Sequence, residues 1–248
     1  MSTWFAHLEQ ALMANKPVAV ATVVAGAGLG GKLVVWPDGR SEGDLLTPAL
    51  TAAVREAALA LFGGAEAERR RFAVGEEVSD VFLEVFNPPP RLIVVGAVHL
   101  AIPLVAFARI LGFHTTVVDA RPLFATSERF AQADRLLVGW PDDILPTLAL
   151  DAGCYVAVLS HDDKLDVPAL WVAINSPARY IGALGSRKTM AKRAARLREL
   201  GATEAQLARI HNPIGLDLGG RQAEEIALAI MAEIVAVRNG KTRDTLCR

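Results

Sequence analysis

The chain has 248 residues, of which 52% are hydrophobic and 21% charged, and its formal net charge is −1. That length holds one or two domains with ample core, and the balance marks a folded globular chain, not a disordered one. No basic field invites nucleic acid, and no run reaches the roughly 18 apolar residues needed to cross a bilayer. The start, MSTWFAHLEQALMANK, carries an acid and lacks the apolar core of a signal peptide, so the expected setting is cytoplasmic. Cys154 and Cys247 form no CxxC pair, which argues against a disulfide framework and a protein zinc site. Cys154 opens a predicted buried strand and reads as a small core residue. Cys247 reads as a terminal one.

Taken in order, Trp4 to Asn15 has the spacing of an amphipathic helix, with Trp4, Leu8 and Leu12 on one face, and Lys16-Pro17 ends it. Val18 to Val24 is a strand. The glycine-rich Ala25 to Gly31 lacks a following Lys-Ser/Thr, so it is no phosphate-binding P-loop and reads as a hairpin connection. Lys32 to Trp36 is the next strand, closed by the turn Pro37-Asp38-Gly39. Glu42 to Phe62 is predicted helical, with Pro48 near its start. Arg69-Arg70-Arg71 reads as a solvated approach to a strand over Arg71 to Val74, and Val78 to Phe86 alternates like a strand that completes a small α/β domain. Asn87-Pro88-Pro89-Pro90 is stiff and cannot extend a helix or a central strand. The expected organisation is therefore a domain over 1–86, a proline-rich linker over 87–90 and a second domain over 91–248.

The second domain opens with RLIVVGAVHLAIPLVAFARILGFHTTVVDAR, Arg91 to Arg121. A β-branched run, a small-residue turn at Gly96-Ala97-Val98, a helical period, Gly112 and a second β-branched run ending at Asp119 make a dinucleotide-type βαβ unit. Asp119 follows Gly96 by roughly 20 residues, the offset of a ribose-binding acid, and Arg121 beside it suits a phosphate or an acid. Val98 fills the place of the second fingerprint glycine, where a side chain obstructs close approach of a pyrophosphate. Strands then recur at Arg135 to Val138, Tyr155 to Leu159 and Tyr180 to Leu184. Helices are predicted over Asp142 to Leu150, Trp171 to Ser176, Thr189 to Leu200 and Ala223 to Asn239. This alternation implies a parallel, doubly wound sheet.

In such a sheet ligands sit beyond the carboxyl ends of the strands, which selects three polar groups. They are Asp119-Ala120-Arg121, Ser160-His161-Asp162-Asp163 and Gly185-Ser186-Arg187-Lys188. The last joins a strand to a helix start. Its backbone N–H groups, a hydroxyl and two cations suit an anion such as phosphate, and Ser186 equally suits a helix cap. His161 and Asp162 read as an acid–base pair, as metal ligands or as a polar turn. His211 to Arg221, HNPIGLDLGGR, has no period, and its Asn212, Gly215 and Asp217 lie on a loop of the kind that closes over a ligand. His99, in the first turn, either faces the crevice or caps the helix.

The stretches VVGAVHLAIPLVAFARILGFHTTVVDAR, ERFAQAD, SHDDKLD, YIGALGSRKT and HNPIGLDLGGRQAEEIALAIMAEI follow one another as they do in the XdhC/CoxI family of xanthine dehydrogenase accessory proteins, which the chain resembles over about Arg91 to Arg238. The resemblance implies a small N-terminal α/β domain followed by a Rossmann-like doubly wound domain. It also implies binding of the molybdenum cofactor (molybdopterin), help in its maturation, and delivery to an apo molybdenum hydroxylase of the xanthine dehydrogenase or CO dehydrogenase type, and it suggests a dimer. By resemblance, Gly96, His99, Asp119, His161, Asp162, Gly185, Ser186, Arg187, Gly215 and Asp217 occupy the family's motif positions. Two features depart from the pattern. Val98 replaces the second glycine of Gly-x-Gly-His, and the N-terminal half has neither the Gly-Ser-x-Pro-Arg nor the Gly-Gly-Cys-Val-Glu stretch. A role that needs that thiol is therefore not supported here. The leading expectation is a non-catalytic cofactor-binding factor. The alternatives are an NAD(P)-dependent oxidoreductase, with His161 or Asp162 as proton donor, and a nucleotide-binding scaffold without chemistry.

Overall fold

The computed structural model describes residues 3–14, 16–62 and 67–241, so Cys247 lies outside the described residues. The chain divides into two compact units, Met1–Pro88 and Pro89–Arg248.

The first unit contains α1 (Thr3–Met13), β1 (Val18–Gly26), β2 (Lys32–Val35), β3 (Ser41–Glu42), α2 (Pro48–Leu61), β4 (Ala67–Val74) and β5 (Glu77–Phe86). Its strands form one antiparallel sheet in the order β3-β2-β1-β5-β4. The glycine-rich segment connects the β1–β2 hairpin, as its composition suggested. The helix begins later than the periodicity implied, because Ser41–Glu42 pairs with β2 and Pro48 takes the first helical position, where its missing N–H costs nothing. Thr47 caps that end by accepting from the Leu50 N–H at 3.1 Å. Leu50, Val54, Ala57, Ala58 and Leu61 line the face of α2 that is buried against Ala21, Leu33, Val81 and Leu83 of the sheet. The three consecutive arginines lie inside β4, not ahead of it. Arg69 and Arg71, two apart and so on one face, both reach Asp80 of β5.

The second unit contains β6 (Arg91–Val95), α3 (Ala101–Ile110), β7 (His114–Asp119), β8 (Arg135–Val138) and α4 (Pro141–Ile144), which is followed by a 3-10 turn over Leu145–Leu148. After these come β9 (Cys154–Val158), α5 (Asp163–Ile174), β10 (Tyr180–Ala183), α6 (Arg187–Glu199), α7 (Glu204–Leu207), β11 (Ile210–His211) and α8 (Ala223–Arg238). The six strands are all parallel, in the order β11-β10-β9-β6-β7-β8. Both faces of the central strands β6, β9 and β10 are covered, which is why these strands read as apolar runs. Leu92, Val94, Tyr155 and Ala157 pack toward α3 and α8, while Ile93, Val95, Val156 and Val158 pack on the other face with residues of α5. Cys154 belongs to that second core, and burial pushes its thiol up to about 11. The helix α5 is longer than the Trp171–Ser176 segment expected, and it starts at Asp163. Pro168 sits inside it and seven of its twelve residues are buried, so no one-sided apolar stripe announced it. No helix among the described residues is long and apolar enough to cross a membrane.

Candidate functional site

The strand order reverses between β6 and β9, and the loops leaving these two strands meet there. Gly96 follows β6 at φ +108°, and a Cβ on it would lie 2.7 Å from the Ser160 nitrogen and 2.8 Å from its Cα. Glycine is required here by close approach to the neighbouring loop and by a backbone conformation that L side chains rarely adopt. Val98, the departure from the fingerprint, is half-buried and packs on the core that contains α3. Ala97 uses its N–H to donate to Asp119 Oδ2 at 2.7 Å.

Asp119 is fully buried, and donors of the chain itself engage both its oxygens. The Arg121 N–H and Nε both donate to Oδ1 at 2.9 Å, and Arg121 Nη2 donates to Oδ2 at 2.8 Å. Burial alone would raise this carboxyl's pKa. The hydrogen bonds from Arg121 and from the Ala97 N–H outweigh it and hold the group below the usual carboxylate range. Asp119 thus holds the first turn and orients Arg121, whose guanidinium also stacks 4.4 Å from the Phe124 ring centroid.

Arg121 looks into a cavity of about 560 Å³ with two further walls. One is the β9–α5 loop, Ser160 to Asp163. Ser160 donates from Oγ to Asp166 Oδ1 at 2.5 Å and accepts from the Asp162 N–H at 3.1 Å. His161 holds φ +60°, uncommon for a residue with a Cβ, and Asp162 caps α5 by accepting from the Lys164 N–H at 2.9 Å. The other wall is the first turns of α6. Ser186 caps that helix by accepting from the Thr189 N–H at 3.2 Å, and Lys188, Thr189 and Lys192 line the cavity. Among the described residues Lys188 and Lys192 carry no ion pair. The cavity therefore has Lys188 and Lys192 on its α6 side and Asp162 on the β9–α5 loop, while Arg121 enters from the loop after β7. This arrangement can hold an anion at one end and hydrogen-bond donors at the other.

Of the residues expected from sequence, Arg121, Ser160, His161, Asp162 and Lys188 come together in this cavity. Others support it from behind. Asn212 donates to the Ala183 and Gly185 carbonyls at 3.0 and 2.9 Å, which buttresses the β10–α6 turn that Gly185 forms at φ +136°. The Gly215 N–H donates to Glu233 at 2.9 Å, anchoring its loop to α8, and Asp217 is exposed and accepts from the Gly219 N–H. His99 and Arg187 are exposed and outside the cavity lining. Sequence reasoning missed Thr189, Lys192, Asp166, Arg193 and Glu233. Lys188 and Lys192, four apart on one helix face, were the signal for the first two. Glu233 is buried and accepts from the Tyr180 hydroxyl at 2.5 Å, with His211 Nδ1 at 3.1 Å. Among the described residues no three His, Cys, Asp or Glu side chains gather so as to hold a metal ion.

The parallel strand order, the tight turn after β6 and a polar crevice at the switch point define a Rossmann-type domain, here joined to a small antiparallel α/β unit. A family model described as the XdhC Rossmann domain matches residues 92–234, and one described as the XdhC and CoxI family matches residues 11–73; the chain belongs to the XdhC/CoxI family. It is similar to a probable xanthine dehydrogenase subunit of Bacillus subtilis (strain 168), 30% identical over 163 residues, 66% of this chain and 47% of that one. It is also similar to the molybdenum cofactor insertion chaperone PaoD of Escherichia coli (strain K12), 27% identical over 160 residues, 64% of this chain and 44% of the other. The chain thus spans about half the length of these curated relatives. A crystal structure described as a xanthine dehydrogenase from Bacillus halodurans matches with a TM-score of 0.73 and 25% identity, over 95% of this chain and 67% of that one.

Proposed function

We propose that the chain is a cytoplasmic accessory factor that binds the molybdenum cofactor and assists its insertion into a molybdenum hydroxylase of the xanthine dehydrogenase or CO dehydrogenase type. Membership of the family and the similarity to a chaperone named for molybdenum cofactor insertion support the class of role. The observation that carries the site is the crevice with Lys188 and Lys192 unpaired on one wall and Asp162 on the other. In this reading the phosphate of the cofactor lies against Lys188, Thr189 and Lys192, and Arg121 borders the cavity from the loop after β7. The N–H donors of the pterin face Asp162, and His161 orients the ring. The cofactor is cargo, and the protein's work is to bind, shield and release it.

Sulfur transfer through Cys154 does not belong to this reading, because that thiol is buried in the sheet and its pKa is raised by burial. The nicotinamide-dinucleotide alternative would use Asp119 as its ribose ligand, and that carboxylate is engaged by Ala97 and Arg121.

The test is to co-express the chain with an apo molybdenum hydroxylase in a host that makes the cofactor and lacks its own accessory factor. The wild-type chain is expected to raise the active fraction of the hydroxylase. The Lys188→Ala/Lys192→Ala variant, which removes two solvated charges and keeps the fold, is expected to lose most of that effect. Equal hydroxylase activity with and without the chain would contradict the proposal.

A further inference from the structure

Among the described residues the largest fully buried side chain is an arginine. Arg193 of α6 is 1% exposed, and its guanidinium is divided among three partners, two on α5 and one between β10 and α6. Nε donates to Asp163 Oδ1 at 3.0 Å, Nη1 donates to the Leu184 carbonyl at 2.8 Å, and Nη2 pairs with Asp166. Asp166 is itself fully buried and accepts the Ser160 hydroxyl, which in turn accepts the Asp162 N–H. Asp163 keeps its second oxygen for Arg196 at 3.3 Å.

These contacts have one geometric result. The acidic wall of the crevice hangs on Asp163 and on the chain Asp166–Ser160–Asp162. The cationic wall begins at Leu184 and rises through α6, which carries Arg193 as well as Lys188, Thr189 and Lys192. The buried Arg193 guanidinium joins both walls, and the exposed Arg196 adds one longer contact to Asp163. The planar fork of arginine suits this task, since its donors point in fixed directions. A lysine ammonium at the same place could satisfy the charge and not the three directions. Burying the group is costly unless every partner is present, so the separation of the walls is fixed wherever the pair is intact.

We propose that Arg193 is the positioning residue of the crevice. Through Asp163, Asp166 and Leu184 it sets the distance between the cationic and acidic walls, and so the length of ligand they accept. This rests on the crevice being the ligand site, so its test has one arm that needs no ligand.

The first arm is backbone hydrogen exchange on the full chain, comparing wild type, Arg193→Lys and the paired variant Arg193→Met/Asp166→Leu. The paired variant removes both buried charges together, which avoids the penalty of leaving one alone. Both altered proteins are expected to exchange faster at residues 160–164 and 184–189, with β6 and β9 protected as in wild type. The second arm is titration with inorganic pyrophosphate as the probe. About tenfold weaker binding is expected in both altered proteins at unchanged cooperativity of unfolding, the scale seen when a supporting residue is lost. Unchanged protection of the two loops in the Arg193→Lys protein overturns the proposal, and so does loosening with pyrophosphate affinity equal to wild type. A wild-type protein that ignores pyrophosphate removes the anion reading of the site, while the exchange arm still decides whether Arg193 holds the walls together.

Discussion

Two arginine–aspartate clusters of this protein use the same groups and do different things. In the N-terminal sheet, Arg69 and Arg71 are 61% and 73% exposed and converge on Asp80. In the Rossmann unit, Arg193 is 1% exposed and Asp166 not at all. The first pair of arginines keeps its water, so Asp80 gains three hydrogen bonds at little desolvation cost, and its carboxyl is held down to about 2. The second has no water, and burial pushes the Asp166 carboxyl up despite the Ser160 hydroxyl and the Arg193 charge. Solvent decides whether such a cluster adjusts a surface or fixes a geometry. An exposed cluster is worth little in stability. A buried one is costly to break, and here it ties the start of α5 to the start of α6.

The largest expected effect separates the two directly. Arg193→Met leaves Asp166 buried without its counter-charge, and should cost about 3–5 kcal/mol, read as a lower denaturant midpoint for the Rossmann unit. Gly96→Ala is next. Its Cβ would meet the Ser160 backbone at 2.7 Å at a positive φ, and a cost of about 2–4 kcal/mol is expected by the same measurement. Asp119→Asn keeps the shape and loses the charge that Arg121 and the Ala97 N–H share. About 1.5–3 kcal/mol is expected, and a variant as stable as wild type would remove the role given to Asp119 in holding the turn.

The smallest effect is at Asp80, and it is best read by pH. Its folded pKa lies below the unfolded value, so its contribution is present above pH ~4 and is lost as pH falls toward 2. Asp80→Asn should therefore flatten the acid limb of stability of the N-terminal unit and change little at neutral pH. Asp166 titrates in the opposite sense. Its folded pKa is raised, so its favourable share is complete below the unfolded carboxylate pKa and is lost as pH rises through the folded value. Acid limbs of the same sign in Asp80→Asn and Asp166→Asn would break the contrast.

The parallel unit was legible because its central strands are buried on both faces and read as apolar runs, and because Gly96 and Asp119 punctuate the first βαβ unit. The rule that ligands sit beyond the carboxyl ends of strands then gathered Arg121, Ser160, His161, Asp162 and Lys188 without any knowledge of side-chain geometry. The buried supports were hidden for identifiable reasons. Arg193 lies among five other basic residues of α6, and nothing local marks it as the buried one. Asp166 sits in a helix that is apolar on most sides, and Glu233 has the spacing of an ordinary helical surface acid. Each is buried only because residues far away in sequence complete its hydrogen bonds. The stretch Arg69–Arg71 reads as lying outside a strand because three consecutive charges contradict strand propensity. An edge position, with Asp80 opposite, makes the strand tolerable.

The proposed ligand of the crevice is a phosphorylated pterin. The most direct measurement is ligand content: express the full chain in a host that makes the molybdenum cofactor, purify it gently, and assay molybdenum, released pterin and nicotinamide nucleotide on the same sample. Pterin near one per chain is expected, lost in Lys188→Ala/Lys192→Ala. Nicotinamide nucleotide in place of pterin, or a protein that emerges with neither and takes up no pterin on titration, would contradict it.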